Sequence, residues 1–188
     1  MLEKIIDLDK SLFIFLNNLG SKPFDAIWLL LTKQFNWIPF FFIFLVILYK
    51  TIGSKQLLVA LLSIAALITF TNELTDIIKF SVQRIRPCND EELVGLIRIV
   101  KDSETFSYFS GHASNSMAAM MFVFLILRKH YKYSYLIFLY PLIFAYSRIY
   151  LGLHFPLDII SGYVFGSLVG FLFYIIYNVI ITKYATNS

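Results

Sequence analysis

The sequence predicts an all-α integral membrane protein: a helical bundle of about five transmembrane helices, preceded by amphipathic interfacial helices. Two observations lead to this prediction. The chain of 188 residues is 59% hydrophobic and only 15% charged, whereas soluble domains are roughly 45–50% apolar and about 25% charged. Its apolar residues are also concentrated in several runs that approach the length of a membrane span. We therefore interpret residues 1–188 as a single membrane domain.

Five apolar segments approach the roughly 20 residues that are needed to cross the hydrocarbon core of a bilayer. They are residues 37–49, 56–78, 113–127, 133–150 and 157–181. Lipid offers no partner to free backbone N–H and C=O groups, so each segment is predicted to be a helix. Residues 35–183 thus form the predicted bundle.

Residues 1–34 have a different pattern, with apolar residues on one helical face and charged residues off it. Gly20 interrupts this pattern, and Pro23 is typical of the first turn of a second helix. Lys22 and Asp25 would lie in mid-membrane if the region were one span, which is costly. We therefore predict two short amphipathic helices in the membrane interface. One additional span is the alternative.

The long connection between the predicted spans covers residues 84–109. Its acidic residues are Asp90, Glu91, Glu92, Asp102 and Glu104. Long loops on a rigid scaffold often carry function, which favours a lid or rim over a site. A plain solvated linker is the alternative.

The charge distribution predicts a bilayer as the partner and no nucleic acid. The net charge is +4, but no basic stripe is interleaved with aromatic residues in the manner of a nucleic-acid-binding surface. The single cysteine, Cys88, excludes an intrachain disulfide and a thiolate metal cluster.

Basic residues also indicate an orientation. Under the five-span prediction, one face carries the loops 50–55 and 128–132 and the C-terminal tail, which together contain six basic and no acidic residues. Dense short basic loops are typical of the cytoplasmic side. We therefore expect a multi-pass protein of the cell (inner) membrane whose opposite face looks toward the periplasm or exterior.

Polar residues that suit phosphate chemistry occur at the ends of the predicted spans, on that outward face. Lys79 and Arg86 follow the second span, Ser110, Gly111 and His112 precede or open the third, Arg148 and His154 follow the fourth, and Asp158 begins the fifth. Phosphoryl transfer depends mainly on positioning and charge neutralisation, which cations supply. The N-terminus of a helix at Ser110-Gly111 would also favour an anion.

Two histidines in this set suggest a division of roles. Asp158 follows His154 by four residues, within reach if a helix starts near Pro156, so it could orient His154 as a nucleophile. His112 has no carboxylate beside it in the sequence, which suits a general acid. His112, His154 and Asp158 could also be metal ligands, but the nearby cations would oppose a divalent ion, so we predict no metal and no cofactor.

Other readings of these residues remain open. An arginine at the end of a span is often a snorkelling anchor, and Arg84, Arg86 and Arg148 taken singly each allow that interpretation. Glu73 and Asp76 lie within the second predicted span, where acids are costly; we expect them to pair with a neighbour such as Lys79 or to line a polar cavity.

The motifs resemble the three-part signature of the type 2 phosphatidic acid phosphatase superfamily. The matching residues, within 79–158, are Lys79-x6-Arg86-Pro87, Ser110-Gly111-His112 and Ser147-Arg148-x5-His154-x3-Asp158. The resemblance implies that His154 forms a phosphohistidine, Asp158 orients it and His112 protonates the leaving group. It also implies that Lys79, Arg86, Ser110, Gly111 and Arg148 hold the phosphate, with no metal. One departure is Phe109, where the family usually has proline.

The resemblance therefore predicts a lipid phosphate or diphosphate phosphatase. Its expected partner is a phosphorylated membrane lipid, such as undecaprenyl diphosphate, phosphatidylglycerophosphate, phosphatidic acid or lipid A phosphate. A phosphotransferase of the same fold and a non-catalytic phospholipid-binding membrane protein are the alternatives.

Overall fold

The computed structural model describes residues 2–185, and every regular element in that range is helical. The helices are α1 (Leu2–Asn18), α2 (Asp25–Leu31), α3 (Ile38–Val82), α4 (Gly111–Leu127), α5 (Leu139–Tyr150) and α6 (Pro156–Ala185). Short 3-10 turns cover Lys22–Phe24, Gln34–Trp37, Pro87–Asn89, Glu91–Leu93 and Ser134–Phe138. The all-α prediction is confirmed.

The first two predicted spans belong to the single element α3, which changes direction at Gly53. Gly53 has φ 73° and ψ 174°, a backbone conformation that favours glycine. Its two arms face each other across an apolar groove, lined by Leu45 and Leu48 on one side and by Leu61 and Ile64 on the other. The predicted six-residue connection 50–55 is wrong, since the helix continues to Gly53 from both sides.

Within the part of the chain that the structure describes, two stretches are long and apolar enough to cross a membrane: Gln34–Leu93, which contains both arms of α3, and Pro156–Lys183. Gly111–Leu127 is apolar but shorter, and α5 has only 12 residues, preceded by the turn at Ser134–Phe138. The count of five spans therefore stays a prediction.

Helix α4 packs most extensively against α6, and glycines make the close approach possible. Gly162, Gly166 and Gly170 recur every four residues on α6. A Cβ at Gly162 would lie 2.8 Å from the Ser110 carbonyl oxygen, and one at Gly170 would lie 2.5 Å from that of Ala118. Small residues at this spacing let helix backbones meet in membranes. The contact holds the first turns of α4 and α6 together.

Helix α1 has its polar face turned toward the protein. Asp9, Phe13 and Asn17 are buried, whereas its large apolar side chains on the other face are exposed. Asn17 donates to the carbonyl oxygens of Ile149 and Tyr150 at 3.0 and 3.1 Å. Two N-terminal helices are confirmed, and an outward apolar face supports the prediction that α1 lies in the membrane interface.

The connection 84–109 is not a free linker, because backbone hydrogen bonds tie it to the bundle. The Cys88 amide donates to the Gly152 carbonyl at 3.0 Å, and the Val100 amide donates to the Leu151 carbonyl at 3.3 Å. Both bonds bring this connection against the short loop between α5 and α6, where His154 lies.

Candidate active site

His154 and Asp158 form a buried pair at the start of α6. The helix begins at Pro156, as the sequence predicts, and places Asp158 in its first turn. The Asp158 Oδ2 atom lies 3.4 Å from His154 Nδ1 and accepts a hydrogen bond from the Phe155 amide at 3.0 Å. The two residues are 1% and 0% exposed, so the carboxylate is held by protein donors and not by water.

Arg86 determines which nitrogen of His154 carries the proton. Its Nη1 lies 3.0 Å from His154 Nε2 and 2.9 Å from the Leu153 carbonyl oxygen. A guanidinium can only donate, so Nε2 is the acceptor and the ring proton sits on Nδ1, facing Asp158. Burial, reinforced by the nearby positive charges, lowers the pKa of His154 to about 3. The imidazole is therefore neutral at neutral pH, with its Nε2 lone pair directed at Arg86.

Arg86 is fixed by the connection 84–109 as well. Its Nε donates to the Thr105 carbonyl at 2.7 Å, and its Nη2 donates to Thr105 Oγ1 at 2.7 Å. The side chain is 4% exposed, so it is not a snorkelling anchor. The sequence did not single out Thr105.

Arg84, which the sequence allowed as a snorkelling anchor, lies next to the His154–Asp158 pair instead. Its Nη1 is 2.7 Å from Asp158 Oδ1, and its Nη2 is 2.6 Å from Asp9 Oδ2. Asp9 Oδ1 in turn accepts from the Leu157 amide at 2.8 Å, and the Arg84 guanidinium lies 4.0 Å from the centre of the Phe155 ring. Arg84 thus joins α1 to the carboxylate of Asp158.

Ser107 completes the contacts of the Asp158 carboxylate. Its hydroxyl donates to Asp158 Oδ2 and lies 3.4 Å from His154 Nδ1. Ser107 is fully buried. Its position in the chain, between charged and aromatic loop residues, carried no signal that would have identified it.

Arg148 lies at the end of α5 with one donor unused. Its Nη1 donates to Thr32 Oγ1 at 2.7 Å. Among the residues that the structure describes, none accepts a hydrogen bond from the buried Nε atom, and the side chain is only 6% exposed. A buried unpaired donor of a cation is expensive, and an anion beside it would remove that cost. The anchor interpretation does not fit this burial.

Lys79, Gly111 and His112 line a cavity of about 340 Å³. His112 stacks on Phe144 with ring centres 5.0 Å apart, and it interacts electrostatically with Arg148, His154, Lys79 and Arg86. The structure therefore brings the cations and both imidazoles together, although they come from four separate helix ends.

Ser110 and Gly111 shape the entrance of α4. Ser110 is the N-cap of the helix, and its Oγ accepts from the Ala113 amide at 3.4 Å. The Ser110 amide donates to the Asp158 carbonyl at 3.0 Å. A Cβ at Gly111 would lie 3.8 Å from Lys79 Nζ, so the glycine keeps the wall beside that ammonium open.

The two acidic residues of the second predicted span, Asp76 and Glu73, lie in different environments. Asp76 lines the cavity together with Lys79, as one of the two interpretations expected. Glu73 is exposed and lies outside the cavity lining. Among residues 2–185, no three His, Cys, Asp or Glu side chains are grouped so that they could hold a metal ion.

Comparison with known proteins identifies the family of this chain. The model of the PAP2 superfamily matches residues 56–181. A lipid A 4'-phosphatase of Bacteroides thetaiotaomicron is 33% identical over 94% of this chain and 80% of its own length. An undecaprenyl-diphosphatase of Sulfolobus acidocaldarius is 26% identical over 90% of this chain and 79% of its own length.

A solved structure shares the fold. The transmembrane PAP2-type phosphatidylglycerolphosphate phosphatase from Bacillus subtilis superposes with a TM-score of 0.68 and 19% identity, over 90% of this chain and 84% of that one. The family match, the relatives and the apolar helices together lead to one conclusion: the chain belongs to the PAP2 superfamily and is a membrane phosphatase of that family.

Proposed function

We propose that this chain hydrolyses a lipid phosphate or diphosphate at the outer face of the cell membrane, without a metal ion and through a phosphohistidine at His154. The observation that carries the proposal is the buried His154–Asp158 pair, whose Nε2 lone pair is directed at Arg86. A neutral imidazole held in one tautomer by a carboxylate is a competent nucleophile.

The first step transfers the phosphoryl group to the enzyme. His154 Nε2 forms a bond to phosphorus as the bond from phosphorus to the leaving oxygen breaks, and His112, which enters the step as the imidazolium, donates a proton to that oxygen. Asp158 and Ser107 stabilise the positive charge that develops on the His154 ring. In the second step, water attacks the phosphohistidine while His112 accepts its proton, which regenerates His154 and releases phosphate.

The cations hold the phosphate during both steps. A phosphoryl oxygen would replace His154 Nε2 as the acceptor of the hydrogen bond from Arg86 Nη1. A phosphoryl oxygen would also accept a hydrogen bond from the unpaired Nε of Arg148. Lys79 and the Gly111 amide, at the N-terminus of α4, would contact the remaining oxygens. Ser110 is proposed to contribute to phosphate binding indirectly. As the N-cap it fixes the first turn of α4, where the Gly111 amide lies.

The mechanism is tested with the purified protein in detergent, with EDTA present. Wild-type protein should release phosphate, and His154→Ala should reduce the rate by about 10³-fold or more. His130→Ala is the matched control, because His130 is an exposed histidine of the loop after α4. Full activity of His154→Ala, or a strict requirement for an added divalent ion, would refute the mechanism.

The intermediate can be trapped directly. Acid-sensitive, base-stable label from a ³²P-lipid should appear on wild-type protein and be absent from His154→Ala. His112→Asn, assayed with a leaving group that needs no proton, should accumulate label because water is no longer activated. Label that persists in His154→Ala would assign the nucleophile elsewhere.

The outward orientation can be tested with Cys88, the single cysteine. It lies beside Arg86 and is partly exposed. A membrane-impermeant maleimide should label intact spheroplasts, with Cys88→Ser as the blank. Labelling that requires inside-out vesicles would reverse the proposed orientation.

The proposed substrates are lipid A phosphate, undecaprenyl diphosphate, phosphatidylglycerophosphate and phosphatidic acid. The first two correspond to the names of the relatives at 33% and 26% identity. Phosphate release from each lipid, compared as kcat/KM, ranks them.

A further inference from the structure

The cavity beside His112 has a polar wall that the proposed mechanism does not use. Asn72 and Asp76 of α3 and Asn115 of α4 line it together with Lys79 and His112. Asn115 follows His112 by one helical turn, and Asn72 precedes Lys79 by about two turns, or roughly 10 Å. The wall therefore continues from the phosphate end of the cavity toward the middle of the bundle.

Two amides in this wall leave hydrogen-bonding groups unused. Asn115 Nδ2 donates to Asn72 Oδ1 at 2.5 Å. The Oδ1 atom of Asn115 is buried and has no partner, and among the described residues the Asn72 amide nitrogen donates to no protein atom. Of these groups, only the buried Asn115 oxygen is costly to leave without a partner, because Asn72 is exposed. Together, the pair offers an acceptor and N–H donors, which is the complement of a hydroxyl or an amide.

The position of the pair says which part of a substrate it would meet. His112 protonates the leaving oxygen, so the leaving group continues from His112 into the cavity, past Asn115 and Asn72. A polyprenyl chain brings no hydrogen-bonding group there beyond its phosphates. A sugar ring brings several hydroxyls and, in an amino sugar, an amide.

The cavity also opens toward an apolar groove. The groove, of about 440 Å³, lies between the arms of α3 and α4 and shares Gln34, Phe41, Ile68 and Ala119 with the polar cavity. A ligand with a polar ring next to its phosphate and hydrocarbon chains beyond it would match this order of polar and apolar walls.

We infer that Asn72 and Asn115 form a headgroup subsite for the hydroxyl or amide groups of a phosphorylated sugar, so that the substrate is a glycolipid phosphate. The inference rests on the proposed function, because it assigns the leaving group of that reaction. The two amides are specificity-determining residues.

The test uses Asn72→Leu and Asn115→Leu, which keep side-chain size and remove the polar atoms. We would measure kcat/KM in mixed micelles for a phosphorylated glucosamine-disaccharide lipid, phosphatidylglycerophosphate and a polyprenyl diphosphate. Wild-type protein should prefer the sugar lipid. Each substitution should lower kcat/KM for it by about tenfold or more, since a buried polar partner is lost, and should change the polyprenyl rate by less than about twofold.

Thr69→Val is the matched control, because Thr69 is an exposed polar residue of α3 outside the cavity lining. It should leave all three rates unchanged. Asn72 is itself on an exposed helix face, so Asn72→Leu carries the test even if Asn115→Leu fails to fold.

The outcomes separate the two proposals. An equal fall on all three lipids, or no fall on the sugar lipid, overturns the subsite while phosphatase activity stands. A wild-type preference for polyprenyl diphosphate or phosphatidylglycerophosphate does the same. Absence of phosphate release from every lipid overturns the proposed function and the subsite with it.

Discussion

Arg84 binds the oxygen of the Asp158 carboxylate that does not contact His154. Its Nη1 lies 2.7 Å from Asp158 Oδ1, while Asp158 Oδ2 lies 3.4 Å from His154 Nδ1. The second Arg84 nitrogen binds Asp9 of α1 at 2.6 Å. Four residues thus form a chain from the N-terminal helix to the proposed nucleophile. The orientation of Asp158 depends on a helix that contributes no atom to the phosphate site.

Replacing Arg84 should therefore impair turnover more than substrate binding. Arg84→Gln leaves Asp158 and the buried Asp9 without their cation, and breaking such a pair costs about 3–5 kcal/mol. We expect kcat to fall by roughly tenfold or more with KM nearly unchanged, and partial rescue by Arg84→Lys. Arg128→Gln, at an exposed arginine, is the control. A rise in KM with constant kcat would place Arg84 in phosphate binding instead.

Removing the Ser107 hydroxyl should also lower turnover more than substrate binding. Ser107→Ala deletes the donor to Asp158 Oδ2, and a single hydrogen bond to a charged group contributes about 1.5–3 kcal/mol. Steady-state kinetics should show kcat reduced by about tenfold or more, with little change in KM. Ser54→Ala, at an exposed serine near the turn in α3, should be silent. Unchanged kcat in Ser107→Ala would mean that Arg84 and the Phe155 amide orient the carboxylate without the hydroxyl.

Substitution of Arg148 should weaken phosphate binding. Arg148→Lys keeps the charge but loses the Nε donor, which is buried and unpaired, and the planar geometry that grips two oxygens. Inhibition by inorganic phosphate should weaken by about tenfold. Thr32→Val, which removes the hydroxyl that accepts from Arg148 Nη1, should shift inhibition in the same direction but less. Equal inhibition of Arg148→Lys and wild-type protein would argue against the contact.

His154 should also give stability a characteristic pH dependence. Burial depresses its pKa to about 3, whereas the unfolded chain has a histidine pKa near 6.5. Between those pH values, His154 binds a proton in the unfolded state but not in the folded state. Its contribution to the free energy of unfolding is therefore complete above about pH 6.5 and is lost as the pH falls toward 3. In detergent, the melting temperature of wild-type protein should fall more steeply with decreasing pH below 6.5 than that of His154→Gln. Parallel curves would mean that His154 does not remain neutral in the folded state.

Sequence reasoning reached the proposed site because its main residues sit at helix ends. The four-residue spacing of His154 and Asp158, with Pro156 between them, predicts a contact within one helical turn, and that contact is present. The apolar runs likewise predict helices, since a chain in lipid must satisfy its own backbone groups. Both inferences use only local periodicity and composition.

The sequence by itself determined the helical class, the family motif and the residues suited to phosphate chemistry. Only the tertiary structure decided the other side-chain partners of Asp158. Arg84 and Ser107 lie 74 and 51 residues from it, and Asp9 lies 75 residues from Arg84. Nothing in a local pattern distinguishes an arginine that anchors a helix in the interface from one that pairs with a buried carboxylate. That difference arises from burial, which makes an unpaired charge costly and is created only when distant segments pack together.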